Sequence, residues 1–128
     1  MIHEMRLNNE PFIKVKEGTK TVELRLLDEK RKTLRVGDKI IFTNRANNEK
    51  IDVLVTNLFK ADSFEPIYEK YSKVAMGYNE EDEANPEDME EYYSKEEIKK
   101  YGCIAIEIEK VLKWWLLWRG QLVLVKLV

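Results

Sequence analysis

The sequence predicts an α+β protein built on a small mixed or antiparallel β-barrel with flanking helices. Strand-like segments follow one another closely in the first half of the chain, helical segments come together in the second half, and another strand follows them. Helices do not separate the strands regularly, as they would in a doubly wound parallel sheet. A chain of 128 residues can bury one core, which favours one compact domain.

The first half of the chain is predicted to hold a strand around His3, a short helix and three further strands. Asn8 or Asn9 can cap the helix. Pro11 suits its first turn, and Gly18 can end it in the left-handed conformation. Alternating apolar residues predict strands at 21–26, within 36–42 and at 51–58.

The second half is predicted to be mainly helical before it returns to the sheet. Apolar residues at helical spacing predict a helix over 63–71, provided that Pro66 lies in its first turn. Ser94 and Glu97 have the spacing of a capping box, and Gly102 can end the helix that this box begins. A strand is predicted at 103–109.

The strand at 21–26 has two faces of opposite character. Val22, Leu24 and Leu26 share one face, Thr21, Glu23 and Arg25 share the other, and Lys20 lies at its entrance. In an ordinary half-buried strand the charged face would lie in open water. In a barrel it could instead line a cleft, where an ion-paired guanidinium can bind a phosphate or a base edge. Both interpretations stay open at this point.

The runs GTKTVELRL (18–26) and RVGDKIIF (35–42) resemble the ASCH domain (activating-signal-cointegrator homology), a PUA-like barrel related to RNA-binding modules. Segments 76–78, 90–94 and 101–108 extend the resemblance, which covers residues 1–111 and leaves 112–128 as an apolar extension. It implies that the partner is RNA, a nucleoside or a nucleotide. The expected ligand-binding residues are Lys20, Thr21, Glu23, Arg25, Arg31 and Arg35.

The resemblance also implies an enzymatic alternative. Some bacterial ASCH relatives are similar to amidohydrolases that act on acetylated cytidine, with a Lys, a Thr and a distal Glu proposed as catalytic. Lys20 matches the lysine, whereas Glu23 occupies the position of the nucleophilic Thr. As an enzyme, the chain would use Lys20, and Glu23 as general base, to hydrolyse a modified nucleoside or RNA. Glu80, Glu81, Glu83 and Glu90 are equal candidates for the distal Glu. Because no nucleophile matches, binding is the favoured interpretation.

The net charge of −2 hides an asymmetry between the two halves of the chain. Residues 1–60 hold 13 Lys and Arg against 9 Asp and Glu, while residues 61–128 hold 9 against 15. Lys30, Arg31, Lys32 and Arg35 form a basic cluster that can guide a polyanion towards the protein. The alternative for this cluster is a solvated loop. For the eight carboxylates between Glu80 and Glu91, the solvated loop is the favoured interpretation.

Cysteine and histidine content limits the chemistry further. Cys103 has no partner for an internal disulfide and is expected to be a reduced, partly buried thiol in a cytoplasmic protein. His3 is the only histidine and is expected to be packed and hydrogen-bonded. No ligand spacing predicts a metal site, and no cofactor is expected. The start of the chain lacks the pattern of a signal peptide.

The tail differs in composition from the rest of the chain. All three tryptophans lie at 114–118, and there is no acidic residue after Glu109. The tail is too short and too interrupted by basic residues to cross a bilayer, so no integral membrane association is expected. Arg119 and Gly120 are predicted to turn a hairpin that could extend the sheet. Self-association into a homodimer is the leading interpretation, followed by a non-native extension and by attachment to a membrane surface.

Overall fold

The computed structural model describes residues 1–111, together with the backbone of residues 114–118 and 121–125. Its strands are β1 (Ile2–Leu7), β2 (Val22–Leu26), β3 (Lys39–Asn44), β4 (Lys50–Ala61), β5 (Cys103–Lys110), β6 (Trp114–Trp118) and β7 (Gln121–Val125). Its α-helices are α1 (Asn9–Glu17), α2 (Glu65–Lys70) and α3 (Lys95–Tyr101), and short 3-10 helices lie at Arg31–Thr33 and Pro86–Glu91.

The first five strands form one mixed sheet in the order β1-β3-β4-β5-β2. β1 runs parallel to β3, while the pairs β3/β4, β4/β5 and β5/β2 are antiparallel. The long strand β4 pairs with β3 near its start and with β5 over most of its length, with a register shift between Val55 and Asn57. Such a bulge increases the bend and twist of a strand. The sheet curls into a half-barrel with flanking helices, which confirms the predicted α+β class.

The two edge strands, β1 and β2, are connected by side chains. Arg25 on β2 donates from Nη2 to the main-chain oxygen of Arg6 on β1, at 2.8 Å. Lys30, beyond the end of β2, donates from Nζ to the main-chain oxygen of Glu4, at 2.7 Å. Cationic side chains therefore bridge the opening of the half-barrel, where β1 and β2 do not pair with each other.

Apolar side chains are buried on both faces of the sheet. One cluster contains Phe12 of α1 together with Ile104 and Ile106 of β5. The other contains Val22 and Leu24 of β2 with residues of α2, and it is completed by partly buried residues of α3. The apolar face of β2 is therefore covered by α2 and α3.

Register decides which cluster lies beside the charged face of β2. Glu23 pairs with Ile106, and Arg25 pairs with Ile104. Residues directly opposite in an antiparallel pair share a face. Glu23 and Arg25 therefore lie on the α1 side, beside the first cluster, and only 5% of Glu23 is exposed. The interpretation of this strand as half-buried, with its charges in open water, is wrong.

Most local predictions are confirmed, with changes at the element ends. Gly18 ends α1 with φ at +89°, and the capping box between Ser94 and Glu97 is formed in both directions. α2 is shorter than the predicted 63–71, whereas β4 is longer than the predicted 51–58. Cys103 is a free thiol with no exposed surface, and burial raises its pKa to about 12. It is therefore a protonated, packed side chain.

The tail forms the predicted hairpin. β6 pairs with β7 in antiparallel register, from Trp114 opposite Val125 to Trp118 opposite Gln121. The two strands form a sheet of their own and do not extend the five-stranded sheet. The predicted turn residues, Arg119 and Gly120, lie outside the described residues. Among the residues that are described, no helix is long and apolar enough to cross a membrane.

Candidate functional site

Three charged side chains of the β2 region form a buried ion-pair group, here called the triad. Lys20 Nζ lies 3.0 Å from Glu23 Oε1. Arg25 binds the other oxygen, Oε2, with Nε at 2.9 Å and Nη2 at 2.8 Å. The exposed side-chain fractions are only 9% for Lys20, 6% for Glu23 and 13% for Arg25. Glu23 is therefore held between two cations, with each of its oxygens engaged.

The segment at 75–77 holds Lys20 in place. The oxygen of Ala75 accepts hydrogen bonds from the main-chain N–H groups of Thr21 and Val22, which join this segment to the start of β2. Lys20 Nζ donates to the oxygen of Met76 at 3.2 Å. A Cβ on Gly77, which has φ at +108°, would lie 3.1 Å from Lys20 Cδ. Glycine at 77 therefore leaves the space in which the lysine side chain reaches Glu23.

The electrostatic balance of the triad favours the charged forms of Glu23 and Arg25. Burial by itself would raise the pKa of Glu23, but the charges and hydrogen bonds of Lys20 and Arg25 outweigh it and hold this pKa below the ordinary value of 4.5. Burial would lower the pKa of Arg25, and Glu23 reverses this effect so that the pKa is raised. Two cations share one carboxylate, so the triad carries a surplus positive charge.

The triad lines a cleft of about 680 Å³. The other basic residues on its surface are Arg6, Arg31 and Arg45. Glu10, Asp82, Asp88 and Glu91 supply acidic groups, and Tyr68, Tyr78, Tyr92 and Tyr93 supply aromatic ones. A polar ligand that carries both an aromatic ring and a charge would find matching groups in this cleft.

Hydrogen bonds fix two of the tyrosines in the cleft wall. The hydroxyls of Tyr68 and Tyr78 lie 2.8 Å apart, and Tyr78 donates to Asp88 Oδ2 at 2.7 Å. Burial, followed by the hydrogen bond to Asp88, raises the pKa of Tyr78 above its ordinary value of 10. The phenol is therefore neutral at physiological pH, and its role here is to form a fixed wall.

The structure brings together some of the predicted site residues and separates others. Lys20, Glu23, Arg25 and Arg31 line the cleft, whereas Thr21 and Arg35 do not. Thr21 lies beside a second, smaller cavity of about 270 Å³. Arg35 is exposed. The cleft geometry therefore does not support the predicted ligand contacts of Thr21 and Arg35, which stay predictions.

The basic cluster at residues 30–35 is largely bound by the protein itself. Arg31 Nη1 lies 2.9 Å from Asp28 Oδ2, and Lys32 pairs with Glu29 at 3.2 Å. Lys30 is hydrogen-bonded to a main-chain oxygen of β1. Arg31 differs from the other members in one respect, because its buried Nε has no hydrogen-bond partner.

The segment at 80–91, here called the acidic segment, provides a wall of the cleft that the sequence did not predict. Asp82, Asp88 and Glu91 line the cleft, although this segment was interpreted as a solvated loop. None of the four candidates for the distal Glu, at positions 80, 81, 83 and 90, lines it. Arg6 and Arg45 were also missed because no motif surrounds them. Among the described residues, no group of three or more His, Cys, Asp or Glu could hold a metal ion.

Comparisons with known proteins identify relatives of this chain. The family model of the ASCH domain matches residues 5–112. The crystal structure of hypothetical protein PH0355 is 33% identical and covers 87% of this chain and 100% of its own, with a TM-score of 0.73. The solution NMR structure of protein PF0455 from Pyrococcus furiosus is 32% identical and covers 87% and 98%, with a TM-score of 0.67. None of the curated proteins that were compared matches significantly.

Proposed function

We propose that this chain, which belongs to the ASCH domain family, binds one nucleotide unit, free or within RNA, in the cleft beside the triad. The observation that carries the proposal is the surplus positive charge of the triad, buried inside a cleft with tyrosine walls. A buried charge that is only partly compensated favours a ligand with negative charge or with strong hydrogen-bond acceptors.

Size and wall chemistry support a nucleotide. Binding sites for small molecules commonly have volumes of about 300–1,000 Å³, and the cleft falls within this range. Proteins that bind unpaired bases stack them on aromatic side chains and bind their edges with polar groups. Tyr68, Tyr78, Tyr92 and Tyr93 can provide the stacking surface, because each lines the cleft.

Arg31 supplies a further argument for an acceptor-rich ligand. Its guanidinium is anchored to Asp28 through Nη1, while its buried Nε lacks a partner. Leaving a buried donor unsatisfied costs about 1–3 kcal/mol. Arg31 is one of the residues that line this cleft, so a small shift of its side chain on binding would bring Nε to an oxygen of the ligand.

The hydrolase alternative receives less support from the geometry. A general base needs a lone pair that can reach the water it activates. Both oxygens of Glu23 are engaged by Lys20 and Arg25, and its pKa is lowered, which makes it a weaker base. Binding therefore accounts for the triad better than hydrolysis does. Should hydrolysis be detected, Glu23→Gln is expected to abolish it, and full activity in that variant would place the base elsewhere.

Calorimetric titration of the protein tests the proposal. The ligands are nucleosides, modified nucleosides, 5′-mononucleotides and short RNAs. We expect at least one nucleotide ligand to bind, and we expect Arg31→Gln to weaken its binding about tenfold or more. Lys32→Gln is the matched control, because Lys32 is exposed and does not line the cleft. Absence of binding, or equal losses in both variants, would contradict the proposal.

We also propose that the C-terminal hairpin, and not the ASCH domain, determines self-association. Its strands carry all three tryptophans, and a two-stranded hairpin is marginally stable in water by itself. Truncation after Lys110 is expected to leave a folded monomer, while the full chain forms a dimer. Light scattering coupled to size exclusion measures both masses. Equal masses would refute the association, and an unfolded truncated chain would show that the hairpin completes the core.

A further inference from the structure

We propose that Arg6 and Arg45 form a phosphate subsite at the rim of the cleft, so that the ligand binds through a phosphate group and not as a bare nucleoside. The inference rests on the proposed function, which it makes more specific. It concerns two residues that neither the motif of β2 nor the basic cluster at 30–35 contains.

Arg6 and Arg45 differ from the other cations that line the cleft in their ion pairing. Lys20 and Arg25 are bound by Glu23, and Arg31 is bound by Asp28. In the part of the chain that the structure describes, the side chains of Arg6 and Arg45 form neither an ion pair nor a hydrogen bond. They are the lining cations whose full hydrogen-bonding capacity is available to a ligand.

Strand pairing brings the two arginines to the same end of the half-barrel. Arg6 lies near the end of β1, and Arg45 directly follows β3, which runs parallel to β1. The main-chain N–H of Arg45 donates to the oxygen of Leu7 at 2.8 Å, and this hydrogen bond joins the two segments directly. Two guanidiniums that start from adjacent segments can bind the same phosphate, because each offers a planar set of donors.

The start of α1 contributes to the same rim. Its N-cap, Asn8, lines the cleft and makes no side-chain hydrogen bond to the first turn. The N-terminus of a helix carries partial positive charge and favours an anion. Glu10 opposes this effect, but it is exposed and pairs with Lys14 at 3.2 Å. The helix end thus supplements the two arginines, which carry the inference.

Another wall of the cleft has the opposite charge. Asp82, Asp88 and Glu91 come from the acidic segment, and none of them forms an ion pair in the described part of the chain. Carboxylates accept hydrogen bonds from base amino groups and hydroxyls, and they repel phosphate. A cleft with a basic rim and an acidic wall would bind a nucleotide in one orientation, with the phosphate beside Arg6 and Arg45.

The experiment compares each 5′-mononucleotide with its own nucleoside by calorimetric titration of the full chain. For the wild type we expect the monophosphate to bind about tenfold or more tightly than the nucleoside. In the double variant Arg6→Gln/Arg45→Gln this difference should disappear, while the affinity for the nucleoside stays unchanged. Arg35→Gln is the matched control for mononucleotides, because Arg35 is exposed and lies outside the cleft lining.

A second series of titrations distinguishes the terminal phosphate of a mononucleotide from an internal phosphate of RNA. If an RNA pentamer binds while mononucleotides do not, the subsite binds an internal phosphate. The slope of log affinity against log salt should then decrease by about 0.7 for each lost contact in the double variant. Thermal melting of the variants confirms that they are folded, which we expect because both arginines are exposed.

Equal binding of nucleoside and monophosphate by the wild type would overturn this inference and leave the proposed function standing. The same holds if the double variant loses affinity for both ligands equally. If no nucleoside, mononucleotide or RNA binds, the proposed function fails, and the inference fails with it.

Discussion

The triad of β2 and the basic cluster at 30–35 are both rich in cations, but they differ in burial and in ion pairing. Lys20 and Arg25 are buried and share the single carboxylate of Glu23 inside a cleft. In the basic cluster, Lys32 lies on the surface and is paired with the neighbouring Glu29. Net charge along the sequence therefore does not show where a ligand finds unsatisfied charge. Burial and pairing decide that, and both depend on strand register.

The same comparison separates structural from functional roles within the triad. Arg25 binds Glu23 and also the main-chain oxygen of Arg6, so it joins the two edges of the half-barrel. No residue of the basic cluster combines a cleft position with such a bridge, since Lys30 reaches β1 but does not line the cleft. Changes in the triad should thus affect both stability and binding, and changes in the basic cluster mainly binding.

The largest expected effect is the loss of the triad's carboxylate charge. Glu23→Gln leaves two buried cations without a counter-charge, and breaking a buried ion pair in this way costs about 3–5 kcal/mol. Glu29→Gln removes the partner of Lys32 at an exposed site and should change stability by less than about 0.5 kcal/mol. Urea denaturation of both variants measures the difference. Equal losses would show that burial of the triad does not matter.

A smaller loss is expected when the space for Lys20 is filled. Gly77→Ala and Gly37→Ala both place a side chain at positive φ, which costs about 1–3 kcal/mol. The added Cβ meets Lys20 Cδ at 3.1 Å in the first case and nothing within 4 Å in the second. Gly77→Ala should therefore be less stable than Gly37→Ala by about 1 kcal/mol. If both variants denature at the same urea concentration, Lys20 is not held tightly.

Acid denaturation should reveal how much Asp38, which follows the basic cluster in the sequence, contributes to stability. A hydrogen bond from His3, and one from the main-chain N–H of Arg35, lower the pKa of Asp38 from 3.8 to about 2. Because the folded pKa is depressed, Asp38 stabilises the protein above pH 3.8, and this contribution is lost as the pH falls through 2. In Asp38→Asn, stability measured between pH 5 and pH 2 should fall less steeply. An unchanged slope would contradict this assignment.

The smallest expected effect on RNA binding is that of Arg35, which is exposed, whereas Arg31 lines the cleft and is expected to contribute more. Arg31→Ala and Arg35→Ala should weaken binding across RNA sequences, because phosphate contacts do not depend on the base. Each lost contact should reduce the slope of log affinity against log salt by about 0.7. Titrations at several salt concentrations measure this slope. If the affinity for RNA does not change with salt concentration, the prediction that the basic cluster guides RNA to the protein is wrong.

Local chemistry made much of the fold predictable. Gly18, the capping box from Ser94 to Glu97, and the alternating strands all specify their conformation within a few residues, and the structure has them. The phase of β2 also placed Glu23 and Arg25 on one face correctly. The predicted meeting of Lys20, Glu23 and Arg25 in one cleft is present in the structure, although their role in ligand binding is still a prediction.

The parts that were missed depend on contacts between distant segments. The pairing of β5 with β2 decides that the charged face of β2 is buried, and no residue near Glu23 in the sequence reveals it. Arg6 and Arg45 approach each other only because β1 and β3 are adjacent and parallel. The composition of the acidic segment predicts a solvated loop, whereas its packing against the cleft depends on distant partners such as Tyr78, which donates a hydrogen bond to Asp88.

The most direct measurement of the central claim is an NMR titration of the ¹⁵N-labelled full chain with the mononucleotide that binds most tightly. We predict amide shift changes at Lys20, Glu23 and Arg25 and at 76–78, and no changes at residues 32–36, which include Lys32 and Arg35 of the basic cluster. Changes confined to residues 32–36, or an unchanged spectrum at saturating ligand, would contradict the claim that the cleft beside the triad is the binding site.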